Sequence, residues 1–187
     1  MSSPASRVQA NLQELFQANL APGDAYIRFQ LTAEIGDSAP DKSSLTSEMT
    51  FLLSMEQVQE SLIIEADKIT PLPSMPESVI GIINSHNQVF CVFDLAKLIQ
   101  LHSQTISARQ YQIIVLQTVT EKPIYLGLAV SRLQGMIRVV EENIQFSLKG
   151  FPPKIIPYLG GAVEFQGKML PILEFNLITE AFRQFSR

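Results

Sequence analysis

The chain contains no tryptophan, a single cysteine and only two histidines. One thiol, Cys91, excludes an internal disulfide framework and fits a reducing compartment. Cys91 with His86 and His102 is too small a set for a His/Cys zinc site. Charge is also sparse. Asp, Glu, Lys and Arg make up 17% of the residues, against ~25% in an average domain. The net charge is −4 and the 14 Lys and Arg are scattered. Lys149, Lys154 and Lys168 lie on separate segments with no aromatic stripe between them, so the surface of a nucleic-acid binder is missing. No apolar run approaches the ~20 residues of a membrane span. The first residues, MSSPASRVQANLQEL, lack the apolar stretch of a signal peptide. Walker A, G-x-G-x-x-G, G-x-S-x-G and H-E-x-x-H patterns are absent. The expectation is a cytoplasmic protein that is not an enzyme, holds no cofactor or metal, and inserts in no membrane.

What is present is apolar and β-prone. The 187 residues, 46% of them apolar, are enough for one domain or two small ones with a substantial core. Residues 1–23 stand apart. Val8, Leu12, Leu15, Phe16 and Leu20 recur at helical spacing between Ser6 and Pro22-Gly23, which predicts an amphipathic helical arm. Tyr26–Leu31 alternates as a strand does, and 35–48 is a Ser/Asp/Pro/Gly-rich loop. Strand-like segments follow at 49–55, 58–64, 79–84, 88–93, 111–119, 124–130, 134–140, 159–165 and 168–173. Helices are expected at 95–100 and at 175–185, the latter with Leu177, Ile178, Ala181, Phe182 and Phe185 on one face. Many short strands with turn residues between them point to small barrels or a sandwich.

A self-comparison sharpens this. Residues 79–95 lie over 159–175, so that Gly81 meets Gly161, Asn87 meets Gly167 and Asp94 meets Glu174. Residues 52–64 lie over 127–139, matching Val58 to Leu133, Gln59 to Gln134 and Leu62 to Ile137. Two copies of one small barrel packed together explain the pattern, with a binding groove at their junction. Asn87 and Gly167 are residue types that tolerate the positive φ of a tight hairpin. Asp94 and Glu174 each precede a helical stretch, so they read as helix caps and not as a catalytic carboxylate pair. Gly160-Gly161 reads as backbone crowding, and Cys91 as a small buried apolar residue.

The stretch Ile69-Thr-Pro-Leu-Pro73, Gly81-Ile-Ile-Asn84 and Asp94-Leu95 resembles the signature of the CheW family, the scaffold of bacterial chemosensory arrays. Met55-Glu-Gln-Val-Gln-Glu60 is similar to the family's short V-x-E segment, and Leu126–Val130 with Tyr158–Leu173 fits its second barrel. The resemblance covers roughly 24–180. It implies a mainly β fold of two five-stranded SH3-like β-barrels, here with short helices and the N-terminal helical arm. The CheW-like unit would run over 24–182, as subdomains of roughly 24–100 and 105–182 between which strands may be exchanged. It implies no catalysis. Family members couple methyl-accepting chemoreceptors, through their cytoplasmic tip, to the regulatory domain of a CheA-type histidine kinase, at receptor arrays on the membrane. By match to the V-x-E segment and the hairpin, Val58, Glu60, Gly81, Ile83, Asn84 and His86 are the expected partner-binding residues.

The chain also departs from the pattern. His86-Asn87 stands where the family has Arg-Gly, Cys91 where it has Pro, and Val130-Ser131 where it has Val-Asp. These departures suggest a divergent adaptor serving pilus-based motility or phototaxis. A detached regulatory module that competes for kinase or receptor is the other reading. A ligand-binding barrel or an enzyme would need a basic aromatic stripe or a convergent catalytic cluster, and neither can be assembled from these residues.

Overall fold

A computed structural model describes residues 22–35, 45–101, 109–118 and 122–185 of the chain. Most of the expected arm, most of the 35–48 loop and His102 lie outside the described residues. Eleven strands are described: β1 (Asp24–Ile35), β2 (Leu45–Ser54), β3 (Val58–Glu65), β4 (Val79–Ser85), β5 (Gln88–Asp94), β6 (Gln110–Gln117), β7 (Tyr125–Val130), β8 (Arg132–Val139), β9 (Ile144–Gln145), β10 (Leu159–Phe165) and β11 (Lys168–Leu173). Helix α1 (Leu95–Leu98) follows β5, and α2 (Phe175–Phe185) follows β11. The face expected of α2 can be followed to Ile178, which is buried; the side chains of Ala181, Phe182 and Phe185 are outside the described set.

The strands form two sheets, β8-β1-β2-β11-β10-β9 and β3-β6-β7-β5-β4. Each curls until its ends meet. In the first, β8 and β9 are joined through a single 3-10 turn, Glu141–Asn143. In the second, β3 runs through another, Ala66–Lys68, into Thr70, whose amide and carbonyl both bond Ile82 of β4 at 2.9 and 2.8 Å. The first barrel counts six strands because its closing segment makes the two-residue β9, where the second makes an isolated bridge.

The internal repeat is structural. The hairpin β4–β5 turns at His86 (φ 49°) and Asn87 (φ 61°), and β10–β11 turns at Gln166 (φ 51°) and Gly167 (φ 75°). Two positive φ values in a two-residue loop make a type I′ turn, whose twist matches that of the strands. Each hairpin shifts register at its glycine, Gly81 or Gly161. A second pair of bulges falls at Gln59 in β3 and Gln134 in β8, the residues skipped in the pairing with β6 and β1. The amide of Asp94 bonds the Ser78 carbonyl at 2.8 Å, and that of Glu174 bonds Tyr158 at 2.9 Å.

Exchange links the two copies. β3 follows β2 in the chain yet pairs with β6, while β8 follows β7 yet pairs with β1. The first barrel therefore draws its strands from 24–54 and 132–173, the second from 58–130. Withdrawing either barrel would strip a strand from the other, so the two form one folded body.

Apolar side chains sort into three clusters. Val92, Ile113 and Val115 fill the second barrel, and Leu52, Val163 and Ile172 fill the first. The largest cluster lies between them: Phe29 and Phe51 from the first barrel, Leu116 and Leu128 from the second, with Leu95, Leu98 and Ile178 of the helices. Phe29 and Phe51 are fully buried and stack at 6.0 Å. β6 shows why its sequence lacks strict alternation. Ile113 and Val115 face the interior of the second barrel, Ile114 and Leu116 face the junction, and so four consecutive apolar residues are buried.

Candidate interaction surface

The six residues singled out by sequence all belong to the closing seam of the second barrel, but they do different jobs. Gly81 and Ile83 are buried in β4. A Cβ on Gly81 would collide with the Thr70 carbonyl, so glycine is what lets the bridge to Thr70 form. Ile83 belongs to the interior of the second barrel, and Val58 is half-buried against the inter-barrel core. These three support the surface without presenting a side chain fully to it. Strand alternation is what sends Ile83 inward.

Glu60, Asn84 and His86 reach solvent. The bulge at Gln59 re-aims β3, and the Glu60 carboxylate meets the ring of His86 at 3.3 Å (Oε1 to Nδ1). Ser85 Oγ lies 3.3 Å from the same nitrogen. Glu60 and His86 are 26 positions apart in the chain and meet only because the barrel closes. The side chain of His86 is 78% exposed and that of Glu60 31%. At such exposure the pair contributes a few tenths of a kcal/mol at most to stability. It therefore reads as a feature of the surface more than as a brace.

Beside this pair, β3 and β4 border an open groove of about 690 Å³. Its rim carries two residues that the motif match missed, Ile63 (67% exposed) and Val89 (65% exposed). β3 alternates strictly, with Gln59, Ser61, Ile63 and Glu65 on the exposed phase. An isoleucine in a polar phase was a legible signal. Val89 stands opposite Asn84 across the hairpin. Because Ile82 turns its amide and carbonyl away from β5 to Thr70, Asn84, two residues on, turns its own to the same outer edge. The seam thus offers apolar side chains, a polar pair and strand-edge backbone.

The remaining titratable groups show little that resembles chemistry. Among the described residues, no three His, Cys, Asp or Glu side chains gather in a metal-binding arrangement. Asp94 caps α1, its Oδ1 accepting from the Lys97 amide at 3.2 Å. Glu174 opens α2, its carbonyl accepting from Ile178 at 3.1 Å. Burial raises the Cys91 thiol pKa above 9.0. Among the described residues, no helix is long and apolar enough to cross a membrane.

Residues 45–182 match the model of the CheW-like domain. The chain belongs to the CheW-like family. Its members are non-catalytic scaffolding adaptors. A curated relative, the chemotaxis protein CheW of Thermotoga maritima, is 29% identical over 119 residues, which span 64% of this chain and 74% of that protein. The crystal structure of the scaffolding protein TtCheW from Thermoanaerobacter tengcongensis superposes with a TM-score of 0.65 at 20% identity, over 85% of this chain and 94% of the other. At that identity the superposition speaks for the fold. The exchanged two-barrel architecture described above is thus a CheW-like one, and the β3–β4 seam lies within the matched region.

Proposed function

We propose that this CheW-like chain couples methyl-accepting chemoreceptors to a CheA-type histidine kinase, binding the kinase's regulatory domain at the β3–β4 seam and the receptor's cytoplasmic tip at the junction of the two barrels. The observation that carries the reading is the seam itself. Exposed Ile63 and Val89 flank a groove beside Glu60, Asn84 and His86, where the family's V-x-E segment and hairpin fall. An apolar centre with a polar rim is the composition of an interface that forms and persists. Strand-edge backbone adds hydrogen bonds that a partner strand can use. No bond is made or broken; the adaptor acts through geometry and differential binding.

Residues 24–182 act as the adaptor body, with 1–23 as an arm ahead of it. The place of action is the cytoplasmic side of receptor arrays. His86-Asn87 in place of Arg-Gly removes a fixed positive charge from the hairpin tip, so the partner's contact there differs from the family pattern, and the pathway we assign to this divergent adaptor is pilus-based motility or phototaxis.

The test is titration of the kinase regulatory domain against Glu60→Lys, His86→Glu and Ile63→Asp variants. All three positions are solvent-facing or half-exposed, so the variants should fold with stability changes within about 1 kcal/mol. Affinity should fall at least tenfold for Ile63→Asp. Wild-type affinity in all three folded variants would remove the seam from the interface.

A further inference from the structure

The two barrels follow one plan, and one end of each shows where they part. The bulges at Gln59 and Gln134 set the alignment. Leu62 pairs with Ile113 where Ile137 pairs with Tyr26, and Ile64 pairs with Tyr111 where Val139 pairs with Asp24. The closing 3-10 turns place Ala66 over Glu141. The hairpins place Ile80 over Gly160 and Asp94 over Glu174. In the second barrel these positions are apolar or already engaged. Ile113 is fully buried, Ile80 and Tyr111 pack on the interior, and Asp94 caps α1. In the first barrel the same end holds a tyrosine, a glycine and three carboxylates.

Tyr26 and Asp24 are two residues apart on β1, so both take the interior phase of the strand. The Tyr26 ring is buried among Leu52, Val139 and Val163, and the residue is only 9% exposed. Its hydroxyl has no hydrogen-bond partner among the described residues, yet it is not sealed from water. Asp24 and Glu141 are exposed around it. Glu174 fills the place that Gly160 leaves empty, its Oε2 3.2 Å from where a Cβ would stand. Its Oε1 accepts from the Asn176 amide group at 3.2 Å. The hydroxyl faces these groups: burial first, then Asp24, Glu174, Glu141 and Glu56, raise its pKa above the ordinary tyrosine value. It is therefore a neutral oxygen with lone pairs to offer. Among the described residues no Lys or Arg pairs with Asp24, Glu141 or Glu174. Arg138 lies on the outer phase of β8, where its Nη1 donates to the Gly23 carbonyl at 2.8 Å.

We propose that this end of the first barrel receives an arginine side chain of a partner protein, held by Asp24, Glu141 and Glu174 with the Tyr26 hydroxyl as the acceptor at its floor. A guanidinium carries five N–H donors in one plane and can meet several spread acceptors at once. A bare metal ion needs its ligands drawn together, and among the described residues no such grouping exists. Carboxylates facing one centre without a counter-ion repel each other, and a largely buried oxygen without a partner forfeits a hydrogen bond. The second barrel avoids both costs with Ile113 and Ala66, so the fold does not require them. Such costs are retained at binding sites. The site is separate from the β3–β4 seam and does not depend on the kinase reading.

The test uses the full chain with 13C at tyrosine Cζ, the ring carbon bearing the hydroxyl, which gives four signals. That of Tyr26 is assigned by its loss in Tyr26→Phe and by correlation to its own backbone amide. The probe is N-acetyl-arginine N-methylamide, with the uncharged N-acetyl-citrulline N-methylamide at matched ionic strength as the control. The expected result is a saturating displacement of the Tyr26 signal by the arginine probe and none by the citrulline. Asp24→Asn/Glu141→Gln alters two exposed positions, and it should raise the Kd about fivefold as two charge contacts are lost. A signal unmoved up to about 100 mM probe, far above a millimolar Kd, overturns the proposal. Equal displacement by citrulline, or an unchanged Kd in the double variant, does the same. Tighter binding of magnesium at this signal would reassign the site to a metal ion. Tighter probe binding in Arg7→Gln than in wild type would place the chain's own Arg7 there and overturn the assignment to a partner. None of these readouts involves kinase or receptor, so this inference and the coupling reading fail independently.

Discussion

Gly81→Ala tests whether the closure of the second barrel makes its binding seam. The added methyl would strike the Thr70 carbonyl and stand 2.9 Å from Ile69 Cγ2. Backbone cannot step aside as a side-chain end can, so β4 and the Thr70 segment must separate. Their bridge consists of two bonds, of 2.9 and 2.8 Å. Losing both costs about 2 kcal/mol at the usual 1 kcal/mol each, and residual overpacking adds about 1 kcal/mol. A chain of this length loses about 2–4 °C per kcal/mol, so Tm should fall by roughly 6–12 °C. The equivalent Gly161 is a matched control. There the nearest atom to an added methyl is Ile144 Cγ2 at 2.7 Å, a side-chain end, with the Gln145 carbonyl further off at 3.2 Å. Gly161→Ala should therefore cost less. The assay is thermal melting of both variants by circular dichroism, followed by kinase-domain binding for Gly81→Ala well below its Tm. Binding should weaken, because the groove is bounded by the strands that have been pushed apart. Equal melting temperatures for the two variants, or an unshifted Gly81→Ala, would refute the assignment of Gly81 to barrel closure.

Two smaller outcomes follow from local geometry. Asp94→Ala removes the cap from α1 and should cost about 1 kcal/mol, seen as a Tm lower by a few degrees, with kinase binding unchanged once the protein is folded. Cys91 should be alkylated by iodoacetamide more slowly than a free thiol at the same pH, because the thiolate is the reactive form and burial disfavours it. The same shift has a stability consequence. The folded state holds the proton more tightly than the unfolded one, so this contribution is fully present below pH 9.0, the ordinary thiol value, and is lost as pH rises through the higher folded pKa. Cys91→Ser should flatten that alkaline limb in pH-dependent melting.

The family motif marked one stretch of the second barrel, and the structure turns its side chains in different directions. Glu60, Asn84 and His86 were readable as surface because polar residues in a strand-and-turn pattern face water. Val58 and Ile83 are apolar, and a motif does not say on which side of a strand they fall. Their burial comes from the alternation of β3 and β4 around a curved sheet. Ile63 and Val89 lie outside the motif, yet the alternation of β3 already marked Ile63 as out of phase.

Read alone, the residues determined the local and repeated features of this protein: the strands, the two type I′ hairpins, the cap at Asp94 and the duplication itself. All of these depend on neighbours within a few positions, or on one segment matching another. The tertiary structure decided the exchange of β3 and β8 and the meeting of Glu60 with His86. Each of those needs partners far apart in sequence, and pairing partners are chosen by which edges closure leaves open, a property of the whole assembled sheet.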